Sequence, residues 1–299
     1  MTSYTDMVIS DSEFIPRLMQ LKLFVPTLLL MLVLRPASVF AETEYDWIAE
    51  LPKPWQIKSQ QLAEILPLFH KRHPDYKDRL RALSYWRIGT PYEIFNLGEE
   101  QAPDLDPIFR LDVSDCTSHI FTTMSLAHSQ SWEQSRDAII KFHYKTVHGK
   151  LAPTYESRWH YTSDRILHHP MTPDITRTVL SEEHLASAKV TLNKKQDDTE
   201  FLKLNWSQPV QIQYIPNEQI TPDLLSSLPD FVGVAFVKQS YFKMGIITAH
   251  EGMLVDGRYL LHAGQDAGET VQQDFMNYYF TDQGAKFDGI MLYDFIAGS

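Results

Sequence analysis

The chain has 299 residues, 43% of them hydrophobic and 12% aromatic, which suits a folded core rather than a disordered chain. Its net charge of −11, with no cluster of Lys and Arg, argues against nucleic acid or an anionic lipid surface as the main partner. The length fits one domain of generous size or one domain with insertions, and no internal repeat or low-complexity tract divides it.

The first segment reads as an export signal. Leu23 to Leu34 (LFVPTLLLMLVL) is an apolar run preceded by Arg17 and Lys22 and followed by Val39-Phe40-Ala41. Positive flank, short apolar stretch and small-residue ending are the three parts of a secretory signal. The run falls short of the roughly 20 residues of a spanning helix, so no membrane span is expected in the mature chain. Cleavage is predicted after Ala41, giving residues 1–41 as signal peptide and 42–299 as one exported domain, periplasmic or secreted. Translation from Met19 would give a more usual charged start, MQLK.

Trp55 to His70 then reads as a helix with Leu62, Ile65 and Leu66 on one face, and Asp75 to Trp86 as a second, closed by Gly89. The Gly-, Pro- and acid-rich stretch from Gly89 to Phe109 is loop. Ser114 and Asp115 are good N-cap residues, and Cys116 opens the next helix. Cys116, Ile120, Met124 and Ala127 share a face, so that helix is expected to be buried with the cysteine at its tip. A further helix covers Trp132 to Tyr144, and His148 to Asp164 is an aromatic, basic loop. The second half changes period. Short β-type runs cover Ala188 to Leu192, Val210 to Ile215, Gly233 to Val237, Gly245 to Thr248, Gly252 to Val255, Tyr259 to His262 and Gly289 to Phe295. Asp256-Gly257 signals a hairpin. Helices first and an antiparallel sheet afterwards give an α+β class.

Cys116 is the one cysteine of a chain read as exported, so it makes no intramolecular disulfide. It is a small buried hydrophobe, an intermolecular partner or a reactive thiol. A helix N-terminus and a nearby histidine both lower a thiol's pKa, which favours the reactive reading. Of twelve histidines, His250 and His262 stand out. They lie on strands joined by the Asp256-Gly257 turn, and antiparallel pairing brings their rings together at one end of the sheet. Nucleophile, base and orienting group are the parts of a catalytic triad. Two ordinary strand-end histidines remain the alternative.

The order of these segments resembles the NlpC-like cell-wall cysteine peptidases, and within them the N-acetylmuramoyl-L-alanine amidase-like branch. Gly89 to Tyr92 (GTPY) comes first. Ser114 to Phe121 (SDCTSHIF) is similar to that branch's FDCVTFVE, and Ser157 to Tyr161 (SRWHY) to its SRNHY. Asp174-Ile175-Thr176 follows. Ala249 to Met253 (AHEGM) is similar to SHVGI, and Leu261 to Gly264 (LHAG) to IHAS. The resemblance implies a papain-like NlpC-type fold, with the cysteine-bearing helix packed on an antiparallel sheet or barrel. It implies Cys116 as nucleophile, His250 as base and His262 as the residue fixing the base's tautomer. Tyr92 would assist the Cys116 N–H in facing an oxyanion, while Arg158, His160 and Tyr161 would line the substrate groove. The implied substrate is peptidoglycan or a muropeptide, cut at the amide between N-acetylmuramic acid and L-alanine, with no cofactor and no metal. No HExxH or zinc-spaced Cys/His cluster occurs in the sequence.

Two rivals stay open: a cysteine endopeptidase of the stem peptide, and a catalytically silent muropeptide-binding protein. The sequence is silent on oligomeric state. Three features depart from the resemblance or sit oddly in it. PDFVGVAFV from Pro229 lacks the Gly-Asp pair common in the superfamily. His119, one turn after the thiol, reads as a surface or packing residue. Glu251 replaces an apolar residue, and if buried close to His250 its charge would raise the histidine's pKa and keep it protonated.

Overall fold

Seven strands form one antiparallel sheet in the computed structural model, which describes residues 46–298. In chain order they are β1 (Ala186–Leu192), β2 (Gln208–Pro216), β3 (Phe231–Val237), β4 (Thr248–Val255), β5 (Tyr259–Gly264), β6 (Glu269–Asp274) and β7 (Gly289–Tyr293). Their order across the sheet is β1-β2-β7-β3-β4-β5-β6. The pairing is a single row in which β7 inserts between β2 and β3. The signal-peptide reading falls on residues outside those described.

The helices that matter to the site are α1 (Leu62–Arg72), α2 (Tyr76–Trp86), α3 (Cys116–Ala127), α4 (Trp132–His143) and α5 (Thr162–His168). The class is therefore α+β, as the period change predicts. Among the described residues no helix is long and apolar enough to cross a membrane.

Every residue of β3 and β7 is buried, because both sheet faces are covered there. Side chains alternate across a strand, so each face gathers its own core. On one face Ala235, Met253, Leu261 and Met291 pack with Ile120, Phe121 and Met124 of α3. On the other, Val234, Phe236, Leu254, Leu260 and Leu292 pack with Phe275 and Tyr279. Burial of the α3 face matches the pattern read from Ile120, Met124 and Ala127, all fully buried.

Three elements differ from their sequence reading. The helix expected from Trp55 begins at Leu62, after two short 3-10 turns at Pro54–Gln56 and Ser59–Gln61. The strand expected over Gly245 to Thr248 is absent. Gly245 ends a 3-10 helix (Gln239–Met244) in the left-handed conformation at φ 72°, and β4 starts at Thr248. Conversely β6 carries a single buried residue, the polar Thr270, so an apolar-periodicity reading passes over it. It is an edge strand, held by its ladder with β5 more than by burial.

The hairpin between β4 and β5 forms where Asp256-Gly257 predicts it. Asp256 (φ 52°) and Gly257 (φ 59°) both take the positive φ of a type I′ turn, closed by Arg258 N–H to the Val255 carbonyl at 3.0 Å. A Cβ on Gly257 would stand 2.1 Å from the Leu225 carbonyl oxygen, so only glycine fits.

Candidate active site

Asp115 caps α3. Its carboxylate accepts the Ser118 N–H at 2.7 Å, and the Ser118 hydroxyl accepts the Asp115 N–H at 2.8 Å, a reciprocal capping box. Cys116 is thus the first residue of the helix, where backbone N–H groups lack intrahelical partners. The segment before it is pinned by a parallel bridge between Tyr92 and Ser114.

Half-buried Cys116 lies in the wall of a cavity of about 840 Å³. The same cavity is lined by Tyr92, Arg158, His160, Tyr161, His250 and His262, so every residue singled out from the sequence meets there. Antiparallel pairing explains the histidines. The start of β4 and the end of β5 lie side by side, and His250 Nε2 is 2.8 Å from His262 Nδ1.

That bond has a direction. With the Gln273 carbonyl oxygen facing it at 3.4 Å, His262 Nε2 carries the proton and Nδ1 accepts. His250 Nε2 is then the donor, which leaves the lone pair of His250 on Nδ1. A basic nitrogen is fixed in this way without any carboxylate on His262. Gln273 has no signature in the sequence, being one polar residue on an edge strand.

Both members of the candidate pair rest uncharged. Burial, then the proximity of His262 and Lys286, lowers the pKa of His250 to about 3. Burial brings His262 down to about 4. The Cys116 thiol is pushed well up, first by burial and then by the carboxylates of Asp115 and Glu251, with the Glu251 backbone pulling weakly the other way. This corrects the expectation of a thiol made acidic by its helix terminus. Desolvation and two nearby carboxylates outweigh the helix dipole, whose effect is about 0.3–1 kcal/mol at exposed sites.

The expected effect of Glu251 on His250 does not arise, since burial, His262 and Lys286 set the histidine's pKa. Residues 250 and 251 point to opposite sheet faces, His250 stacking on Phe236 (ring centroids 5.6 Å apart). Glu251 is fully buried on the α3 side, hydrogen-bonded to Thr117, Thr162, Arg165 and Tyr293. His119 is a packing residue, fully buried on α3 and held neutral by burial and by Arg87.

The remaining sequence-selected residues divide. Tyr92 is half-buried beside Cys116, and burial with the charges of Cys116 and Asp115 raises its pKa to about 12, so it stays a donor. The Arg158 guanidinium is already bound to Glu99 and to Asp104, the latter at 2.6 Å. His160 donates from Nε2 to the Tyr155 carbonyl at 2.5 Å, and the Tyr161 hydroxyl is spent on Asn193 at 2.7 Å. These three shape the wall through their flanks. Two further wall residues escaped the sequence reading. Tyr278 packs on His262 with centroids 4.7 Å apart, and Lys286 lies 4.3 Å over the Tyr278 ring. At the rim Phe95 is 76% exposed.

The family described as N-acetylmuramoyl-L-alanine amidase-like (AmiA-like) matches residues 82–285, a span that takes in every cavity-wall residue named above but Lys286. The chain belongs to that family.

Solved structures similar to this amidase-like chain agree on the fold. One is a protein from Legionella pneumophila of the DUF1460 family, at 20% identity over 79% of this chain and 94% of its own, TM-score 0.64. Another is an N-acetylmuramoyl-L-alanine amidase from Bacteroides uniformis, at 16% identity over 73% of this chain and 99% of its own, TM-score 0.57. A third, from Bacteroides fragilis, is described as a candidate xylanase, at 20% identity over 71% and 99%, TM-score 0.54. Likeness at these identities speaks to the fold, and function rests on the site. No curated protein matches the sequence significantly.

Proposed function

We propose that this amidase-like chain is an exported, cysteine-dependent N-acetylmuramoyl-L-alanine amidase of papain-like, NlpC-type fold, acting on peptidoglycan or muropeptides. The observation that carries this reading is the hydrogen-bonded His250–His262 pair sharing one cavity with the half-buried thiol at the tip of α3.

In this reading His250 Nδ1 takes the thiol proton as the Cys116 sulfur attacks the lactyl carbonyl. With thiol and imidazole both neutral at rest, proton transfer and attack proceed together as general-base catalysis rather than from a stored thiolate. The oxyanion faces the Cys116 N–H, free at the helix start, and the Tyr92 hydroxyl. The C–N bond breaks as His250 returns its proton to the departing L-alanine amine. Water then attacks the thioester, giving a lactyl carboxylate and restoring the thiol. His262, oriented by Gln273, keeps Nδ1 as the acceptor throughout. An exported site of action, reached by way of the segment read as a signal peptide, follows from this substrate.

Mass spectrometry of products from defined muropeptides, with and without a thiol alkylator, tests the proposal. Release of an intact stem peptide that stops on alkylation is expected. Cleavage inside the stem would replace the amidase reading with an endopeptidase, and activity untouched by alkylation would remove the thiol from the mechanism.

A further inference from the structure

Glu251 has no part in the chemistry above, yet few buried side chains here are so fully engaged. Its Oε1 accepts from the Thr117 and Thr162 hydroxyls, each at 2.9 Å. Its Oε2 accepts from Arg165 and, at 2.8 Å, from the Tyr293 hydroxyl. Glu251, Arg165 and Tyr293 are all about 1% exposed or less. Four donors from three separate segments, α3, α5 and β7, therefore converge on one carboxylate.

Two of those contacts matter for geometry. Thr117 immediately follows the nucleophile proposed here, and Glu251 immediately follows the base. The Thr117–Glu251 bond thus joins the helix tip that holds Cys116 to the strand that holds His250, one residue from each. Thr162 adds the cavity wall formed by Arg158 to Tyr161 to the same carboxylate. Both ends are polar at positions where the motifs quoted above, FDCV and SHVG, carry valine. A hydrogen bond to a charged group is shorter and more directional than an apolar contact at these positions would be.

We propose that Glu251, acting through Thr117, is a positioning residue that sets the separation of Cys116 and His250. The inference rests on the thiol–imidazole reading of the site. The Glu251 carboxylate is spent on the four donors and bonds to no reacting atom, whereas the Thr117 hydroxyl also lies 4.0 Å from the Cys116 sulfur. A misplacement of about 1 Å between reacting groups can cost about a hundredfold in rate, so a bond one residue from each group has leverage on kcat.

The test compares Thr117→Val, which loses the hydroxyl at nearly constant volume, with Thr117→Ser, which keeps it. Both leave the Glu251–Arg165 pair in place and so avoid the folding failure that Glu251→Gln risks. Steady-state kinetics on a defined muropeptide and the rate of iodoacetamide labelling at Cys116 are measured on all three proteins. The expected result is a kcat reduced about tenfold or more in Thr117→Val at nearly unchanged KM, with most of the rate recovered in Thr117→Ser. Labelling follows the same order. A Thr117→Val protein with wild-type kcat and labelling rate overturns the proposal, as does equal loss in both variants. Should the wild type cleave no muropeptide, the amidase reading fails separately, and the labelling rates still decide this one.

Discussion

His250 and Glu251 are chain neighbours on β4 with opposite surroundings. The first borders an open cavity, stacks on Phe236 and bonds to one histidine. The second is sealed on the far face with four donors around its carboxylate. One residue's step along a strand separates chemistry from support, because the pleat sends successive side chains to different faces. A charge that looked from the sequence like a perturbation of the base is instead part of the frame.

Paired variants break or sharpen that contrast. Glu251→Ala should act on stability, costing about 3–5 kcal/mol because Arg165 is left buried without its carboxylate; urea unfolding reads this. His250→Ala should act on turnover, lowering kcat about 10³-fold with an unfolding midpoint close to wild type. Equal loss of stability in the two would erase the division. His262→Leu removes the group that fixes the base's tautomer and should cost about 10²-fold in kcat, smaller than loss of the base itself.

Acid should expose the buried imidazoles. The unfolded chain takes up protons near pH 6.5, whereas native His250 and His262 wait until about pH 3 and 4. The unfolded state therefore binds more protons in between, and stability present above about pH 6.5 is lost as the pH falls toward 4. Each pKa unit of depression is worth about 1.4 kcal/mol per histidine. Thermal melts across this window, with a shallower slope in His262→Leu, check the assignment. The smallest effect concerns the cavity wall. Tyr161→Phe loses the bond to Asn193 and should cost about 1 kcal/mol of stability while leaving the pH dependence of turnover in place.

What could be read ahead of the structure was local. The Asp115 cap, the periodic face of α3 and the Asp256-Gly257 turn are set by residues a few positions apart, and together they located Cys116, His250 and His262. The Glu251 network was hidden because its partners lie 86 and 134 residues away at Arg165 and Thr117. Gln273 was hidden for a related reason, since its strand is polar and defined by pairing with β5. The thiol's environment was misjudged because a helix terminus can be read from sequence but desolvation cannot. Composition reads Gly245 to Thr248 as a strand, and the left-handed turn at Gly245 shows how one glycine undoes such a reading.

The most direct test of the central claim is the hydrolysis of a defined disaccharide-peptide by Cys116→Ala, followed by release of free stem peptide. Loss of at least 10³-fold in rate, in a protein that melts like the wild type, is the predicted result. Turnover within a few-fold of wild type would contradict the account, since no other thiol exists in the chain to replace it.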